Sequence, residues 1–366
     1  MNPQQNKLHF LLGANTPSGF VSKFSQFVNP GDGSRTYIIK GGPGCGKTTM
    51  MRKIADAFEH DPDLELIVSS HDTASLDAVI VPSKKLSVVD GSRPNLLEPV
   101  YPGAVESIVD LTPCWDTDIL HSCRQEIVRL TDDISRCHEY CCRYLGAGAA
   151  LLGDSYRLAL GCVNISKLNG YLARLSDKEL RRKDAASAPG KEKVRFLTAL
   201  TNKGVVKYTG SAKKLAERIY LIGDEYGAVA RLMLHHVRAD ALANGHDVVS
   251  CYCPLAPFDK LEQLFIPSLS LGFMTSNRFH NFDLEISAYR MINCQRFTDN
   301  ERLKEHKKRM TFNRKAAGQM IAQAQALLGE AKSLHDELEV YYNRATDFGK
   351  ADSLTDELLA KLARLH

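Results

Sequence analysis

Residues 41–48 read Gly41-Gly42-Pro43-Gly44-Cys45-Gly46-Lys47-Thr48, two glycines bracketing four positions and then a lysine and a threonine. Glycines let the backbone curl until successive N–H groups point inward at an anion. A helix that starts at the lysine aims its positive N-terminal end at the same anion. Lys47 is then placed for β- and γ-phosphate oxygens and the Thr48 hydroxyl for Mg2+, with Thr49 completing the nucleotide-contacting run. Pro43 costs nothing where the loop needs no donor. Apolar "RTYIIK" precedes the loop and "KTTMMRKIADAFEH" follows it, the strand and helix that such a loop requires. The expected ligands are a nucleoside triphosphate, ATP, and Mg2+.

The remaining chemistry needs acids and a second cation nearby. A carboxylate at the end of an apolar strand holds the metal in such sites. "LSVVD" supplies Asp90 and "ESIVD" supplies the rival, Asp110. "SSHDTASLD" offers His71, Asp72 and Asp77 near a carboxyl strand end, where ligands of open α/β sheets bind. Asp72 is carried forward as a catalytic candidate, although surface loop acids are common. Arg93 is placed to neutralise charge on a γ-phosphate, and is equally readable as a solvated turn residue.

The rest of the chain is organised around a repeat. "HFLLGANTPSGFV" finds a partner in "RFLTALTNKGVV", and "TYIIKG" in "IYLIG". "LDAVIVPSKKLSVVDGSRP" matches "LEQLFIPSLSLGFMTSNRF", with Pro82 over Pro267 and Arg93 over Arg278; "YLARL" recurs as "KLARL". The matches keep one order at a slowly drifting offset, as loop insertions produce. Each half alternates strands with helices, which argues for a parallel α/β sheet of the P-loop kind. Beyond Asp116, a helix N-cap, Leu120, Cys123, Ile127, Leu130, Ile134, Cys137, Cys141 and Tyr144 recur at three- and four-residue steps, a coiled-coil-like seam. The expectation is a first domain over 1–178 with a projecting helical hairpin at about 116–175, a polar linker over 179–194, and a second domain over 195–366 with its own hairpin at about 299–365.

Composition narrows the class. The 366 residues carry a formal net charge of +4, too weak to argue for nucleic acid. No apolar run approaches the roughly 18–20 residues of a membrane span. The first residues lack the basic start and apolar stretch of a signal peptide, so a cytoplasmic protein with free thiols at its 10 cysteines is expected.

Taken together, "GANTPSGF", "YIIKGGPGCGKTTMMRKIA", "SLDAVIVP", "VVDGSRP", "YPGAVESIVDL" and the helical segment from Trp115 resemble a family of bacterial ATP-binding proteins built from two tandem P-loop halves. The resemblance covers nearly the whole chain and implies ATP binding with hydrolysis. In that family both halves can carry a usable loop. Here the second half departs. Aligning Gly41 with Gly223 puts Ala228, Val229 and Ala230 opposite Gly46, Lys47 and Thr48, and Thr275 opposite Asp90. Asp224 and Glu225 add negative charge that repels phosphate. The second half is therefore expected to be a pseudo-NTPase.

Weaker signals are set beside these. "CHEYCC" (137–142) has metal-ligand residue types, but Cys137 and Cys141 fall on the apolar seam. The "CYC" at 251–253 lacks a second ligand pair. Cys45, a thiol at a helix N-terminus, is expected to have a depressed pKa. "RLKEHKKRMTFNRK" is a basic helix with only Phe312 interleaved, so nucleic-acid binding is disfavoured. The leading reading is a Mg2+-dependent ATPase with one working site, whose helical hairpins dock a protein partner or a second copy. A small-molecule kinase and a nucleotide-sensing scaffold are the alternatives.

Overall fold

The computed structural model describes residues 7–27, 31, 33–181, 183, 188–282 and 285–364. In chain order the first half contains β1 (Leu8–Phe10), β2 (Gly13–Thr16), β3 (Gly19–Ser22), β4 (Arg35–Lys40), α1 (Lys47–Ala57), β5 (Glu65–Val68), β6 (Leu76–Val81), β7 (Leu86–Asp90) and β8 (Glu106–Asp110). Helices α2 (Thr117–Ser122), α3 (Arg124–Leu160) and α4 (Ile165–Glu179) follow. The second half repeats the plan with β9 (Glu192–Arg195), β10 (Thr198–Thr201), β11 (Gly204–Lys207), an added α5 (Thr209–Leu215), β12 (Arg218–Gly223), α6 (Ala228–Ala243), β13 (Val248–Tyr252), β14 (Leu261–Ile266), β15 (Leu271–Ser276) and β16 (Arg290–Asn293). It ends with α7 (Asn300–Glu305), α8 (Lys307–Ala345) and α9 (Phe348–Leu362).

Each half forms a six-stranded sheet, ordered β1-β5-β6-β7-β4-β8 in the first and β9-β13-β14-β15-β12-β16 in the second. The two orders are the same. Neither sheet is wholly parallel, which corrects the expectation: β6 runs antiparallel to β5 and β7, and β14 does so in the second half. The cause is local. Only a one-turn helix at Pro82–Lys84, closed by Lys85 at φ 52, joins β6 to β7. A connection that short makes a hairpin, whereas a parallel neighbour needs a crossover of a dozen residues or more.

Neighbouring residues on the central strands serve opposite cores, so these strands read as unbroken apolar runs. Ile38, Ala78, Ile80 and Val89 point toward the second half, where they meet Ile219, Leu221, Phe265 and Met274. Ile39, Val79, Val81 and Val88 turn the other way, onto α1. In the second half Tyr220, Ile222, Leu264 and Phe273 turn outward onto α6. The sheets thus pack face to face across the molecule, and a buried ion pair, Arg195 to Glu65 at 2.8 Å, ties β9 to β5.

The long helices differ most from expectation. α3 is continuous from Arg124 to Leu160, which leaves no room for a hairpin of two long arms within 116–175. It packs antiparallel along α8, with Leu130, Cys137, Cys141 and Leu145 buried on its inner face. At one end Asp116 N–H donates to Ala345 O (2.7 Å), and at the other Asn164 N–H donates to Phe297 O (2.7 Å). The pair also packs on β2, β3 and β10, so it lies across both halves and does not project from either. The exposed arm expected to dock a partner is not formed.

The short terminal helices are exchanged. Leu168, Leu172 and Leu175 of α4 are buried with Val229, Met233 and Val237 of α6, on the second sheet's outer face. Ala351, Leu358 and Leu362 of α9 are buried with Met50, Met51 and Ile54 of α1, on the first. The boundaries at 178 and 195 therefore divide the chain but not the packing. Of the expected linker, 182 and 184–187 lie outside the described residues. Its described ends are tied down, with Gly190 N–H donating to Leu242 O at 2.8 Å and Lys191 N–H to Asp247 Oδ1 at 2.7 Å. Among the described residues no helix is long and apolar enough to cross a membrane.

Candidate functional site

β4 leaves the sheet at Lys40, and the chain curls through Gly41–Gly46 before α1 begins at Lys47. Gly44 (φ 66) and Gly46 (φ 92) adopt left-handed backbone conformations that side chains disfavour. Gly46 is the N-cap, and no side chain caps α1 among the described residues. The first N–H groups of the helix are left facing the loop. Lys47 Nζ folds over the loop, donating to Gly41 O at 3.1 Å and Gly42 O at 2.6 Å, and stands 3.8 Å from Asp90 Oδ2.

Asp90 ends β7, next to β4 in the sheet. Its Oδ1 accepts from Ser92 N–H (2.8 Å), and the Ser92 hydroxyl donates to Gly41 O (2.8 Å), fixing acid and loop together. The rival acid, Asp110, spends its carboxylate on Thr112 N–H and Oγ1, both at 2.9 Å, and is exposed. The β6–β7 ladder pairs Ala78 with Val89, which sets Asp77 across from Asp90 on the α1-facing side. Asp77 is buried, with Asn95 and Ser69 beside it, and its Oδ2 has no hydrogen-bond partner among the described residues. Burial first, and the Asp90 charge second, push its carboxyl up to about 7.

The other candidates are further from the loop or occupied. Asp72 accepts from Ala74 N–H (2.9 Å) and lies 3.4 Å from Lys332; burial works to raise its carboxyl, and these partners more than offset it. Arg93 is exposed and makes no ion pair among the described residues. His71 stacks edge-on against His138 at 4.6 Å, and burial drives the two rings down to about 3 and about 4, leaving both neutral. Cys45 corrects the sequence reading. Its thiol is buried and donates to Gly42 O at 3.0 Å, and burial pushes it up rather than down.

One part of the site was not foreseen. The C-terminal turn of α8, from the other half, roofs the loop. A Cβ on Gly42 would fall 2.7 Å from Tyr342 Cε1, and one on Gly44 would fall 2.4 Å from Asn343 Oδ1. Trp115 packs edge-on against Tyr342 at 5.6 Å. These positions thus need glycine for contact as well as for curvature. No local pattern signals this roof, because it comes from residues about three hundred positions away.

The corresponding loop of the second half is built differently. Strand register pairs Ile39 with Asp90 and Ile222 with Thr275, so Gly223 stands at Lys40 and Asp224 at Gly41. The N-caps Gly46 and Gly227 then coincide, which moves Ala228 to the lysine position and Val229 to that of Thr48. This corrects the alignment by one residue; three residues, Asp224–Tyr226, replace the five of Gly41–Cys45. Asp224 does not repel a ligand from an open loop. Its carboxylate fills the loop, accepting from the N–H groups of Tyr226 (3.1 Å), Gly227 (3.0 Å), Val229 (2.8 Å) and Ala230 (2.8 Å). The cleft lined by Asp224, Gly227, Lys260 and Thr275 leaves no room for a water-sized guest. Arg278 pairs with Glu225 at 3.2 Å and so serves this loop, not the first one.

No protein-family model, curated protein or solved structure matches the chain. The reading of the site therefore rests on its residues and their geometry.

Two of the weaker signals also resolve. Among the described residues no group of three or more His, Cys, Asp or Glu could hold a metal, and Cys137 and Cys141 belong to the α3–α8 seam. In the basic helix, Arg309 is bound by Asp154 through two bonds of 2.8 and 2.6 Å, and Arg314 faces Glu225 at 3.6 Å. Part of its charge is thereby spent within the molecule.

Proposed function

We propose that the chain binds ATP with Mg2+ at Gly41–Thr49 and hydrolyses it, and that its second half is a pseudo-NTPase. The observation that carries this reading is the difference between the two loops. The first is an uncapped nest of N–H groups with Lys47 folded over it and two acids beside it, Asp77 buried and Asp90 half-buried. The second has the same strand–loop–helix frame, but its own Asp224 already occupies the anion position. An arrangement that a carboxylate satisfies in one half fits a phosphate in the other. The triphosphate follows from the loop's motif, and adenine from the family resemblance.

In this reading the Gly44–Thr48 backbone holds the β-phosphate, and Lys47 exchanges its contacts with the Gly41 and Gly42 carbonyls for β- and γ-oxygens. Thr48 and Asp90 are the residues that would hold Mg2+, which when bound neutralises charge on the same oxygens. The acids and the hydroxyl fit a hard cation with oxygen ligands. Hydrolysis forms a bond from a water oxygen to γ-phosphorus and breaks the bond to the β–γ bridging oxygen. ADP, phosphate and one proton leave. The roof of Trp115, Tyr342 and Asn343 ties occupancy of the loop to α8.

The test is equilibrium binding of ATP and release of phosphate from labelled ATP, for the wild type and Lys47→Ala. Saturable binding that this change abolishes supports the reading, and its survival would overturn it. Label recovered on an added metabolite would indicate phosphoryl transfer instead of hydrolysis.

A further inference from the structure

We infer that Asp77 is a second carboxylate of the divalent-cation site at the glycine-rich loop, acting beside Asp90. It rests on the proposed nucleotide reading and extends it to a residue the motif does not contain.

Three observations carry it. The first is placement. Asp77 and Asp90 face each other across β6 and β7, on the side of the sheet where α1 begins. The second is an incomplete hydrogen-bond inventory. Asp77 is 7% exposed, with Asn95 and Ser69 beside its carboxylate, yet its Oδ2 meets no donor among the described residues. A buried carboxylate oxygen without a partner is unfavourable in the folded state, and an arriving cation would offset that cost. Lys47 does not serve, because it is directed to Gly41 O, Gly42 O and Asp90.

The third is the second half, which shows how the same frame treats an acid at this position. β14–β15 pairing sets Glu262 across from Thr275, the counterparts of Asp77 and Asp90. Glu262 is fully buried there, and its Oε1 faces two of the chain's own groups, Lys260 Nζ at 2.5 Å and His280 Nδ1 at 3.3 Å, while its Oε2 has no hydrogen-bond partner among the described residues; the difference from Asp77 is the ammonium. Lys260 also reaches the loop, its Cε lying 3.5 Å from where a Cβ on Gly227 would be. The first-half counterparts of Lys260 and His280 are Ser75 and Asn95. At these four positions the second half has one acid and an ammonium, while the first has two acids and two neutral residues, with Lys47 3.8 Å from Asp90 as the nearest cation. The lysine ammonium stands where the first half needs an external cation, next to a phosphate-binding loop. A divalent ion with oxygen ligands meets that requirement.

Mn2+ is the probe. Its binding is titrated by electron paramagnetic resonance with and without ATP, and ATP affinity is measured separately in EDTA. Wild type, Asp77→Asn, Asp90→Asn and Ser75→Lys are compared, with thermal melting as the control for folding. The near-isosteric Asp77→Asn should weaken Mn2+ at least about tenfold while changing ATP affinity in EDTA by less than about threefold. Ser75→Lys, which imports the ammonium of the other half, should also weaken Mn2+ with Asp77 intact. If Asp77→Asn holds Mn2+ as the wild type does, or the wild type holds none in either condition, the inference is overturned. Mn2+ binding that needs Asp77 but no ATP supports the inference; absence of ATP binding in that case sinks only the nucleotide reading.

Discussion

The loops at Gly41–Thr48 and Asp224–Val229 start from equivalent strands and end at equivalent helices, yet they treat charge in opposite ways. The first leaves its N–H groups uncapped, with Asp90 and Asp77 nearby and no ion pair to Asp77 among the described residues. The second has taken both charges into the chain, a carboxylate from Asp224 and an ammonium from Lys260. The lesson is that one strand–loop–helix frame stands with its charges supplied by its own side chains in one half and left open in the other. At the second loop the Asp224 carboxylate and the Lys260 ammonium both find partners within the chain.

The comparison can be attacked at several points. Arg195→Ala strikes what the halves share: it leaves Glu65 buried without its closest cation, and the loss should be about 3–5 kcal/mol in urea unfolding. The same pair predicts an acid limb. Burial alone would raise Glu65, but Arg195 and Lys193 more than offset it and hold the carboxyl low. Its stabilisation is then complete above the ordinary carboxylate range and is lost as pH falls through the depressed value, a limb that Arg195→Ala should abolish in pH-dependent melting. Lys47→Ala should cost about 3 kcal/mol of ATP affinity, more than a hundredfold by calorimetry. Its mirror, Ala228→Lys, should leave the stoichiometry at one nucleotide per chain, because Asp224 still fills the second loop; two would break the comparison.

Asp224→Ala should lower stability by about 2–3 kcal/mol, since four N–H groups lose a charged acceptor, while ATP binding at the first loop changes little. A neutral outcome in thermal melting would mean that the carboxylate is not what holds the second loop. The smallest effect is expected for Gly44→Ala. Its left-handed backbone costs about 1–2 kcal/mol, and its methyl group meets Asn343, so binding and melting temperature should fall together.

Features encoded by neighbouring residues were legible in the sequence. The glycine spacing placed the loop between β4 and α1, and "LSVVD" ended at Asp90 beside it. The repeat foretold two halves of one plan, and each half forms a six-stranded sheet. Asp77 was visible in part, since alternation in "LDAVIV" gives it the parity of Val79 and Val81 and hence the face under α1. The antiparallel β6 was also readable from the short Pro82 turn, but alternating strands and helices outweighed it. What escaped depends on long-range packing. An amphipathic helix such as α4 has the same apolar stripe whichever sheet it covers. Asp224 looks repulsive until the directions of four N–H groups are known.

The exchange of α4 and α9 has a consequence for the history and the dismantling of the molecule. A lone half, ending with its own terminal helix, would leave part of its outer sheet face bare and carry a helix with nothing to cover. Two identical halves would remedy this by trading helices, which is the arrangement of a symmetric dimer; a connection at about residue 180 would make it one chain. Once joined in this way, neither half can be removed without stripping the other. The second loop could lose its ligand, but its half could not be discarded.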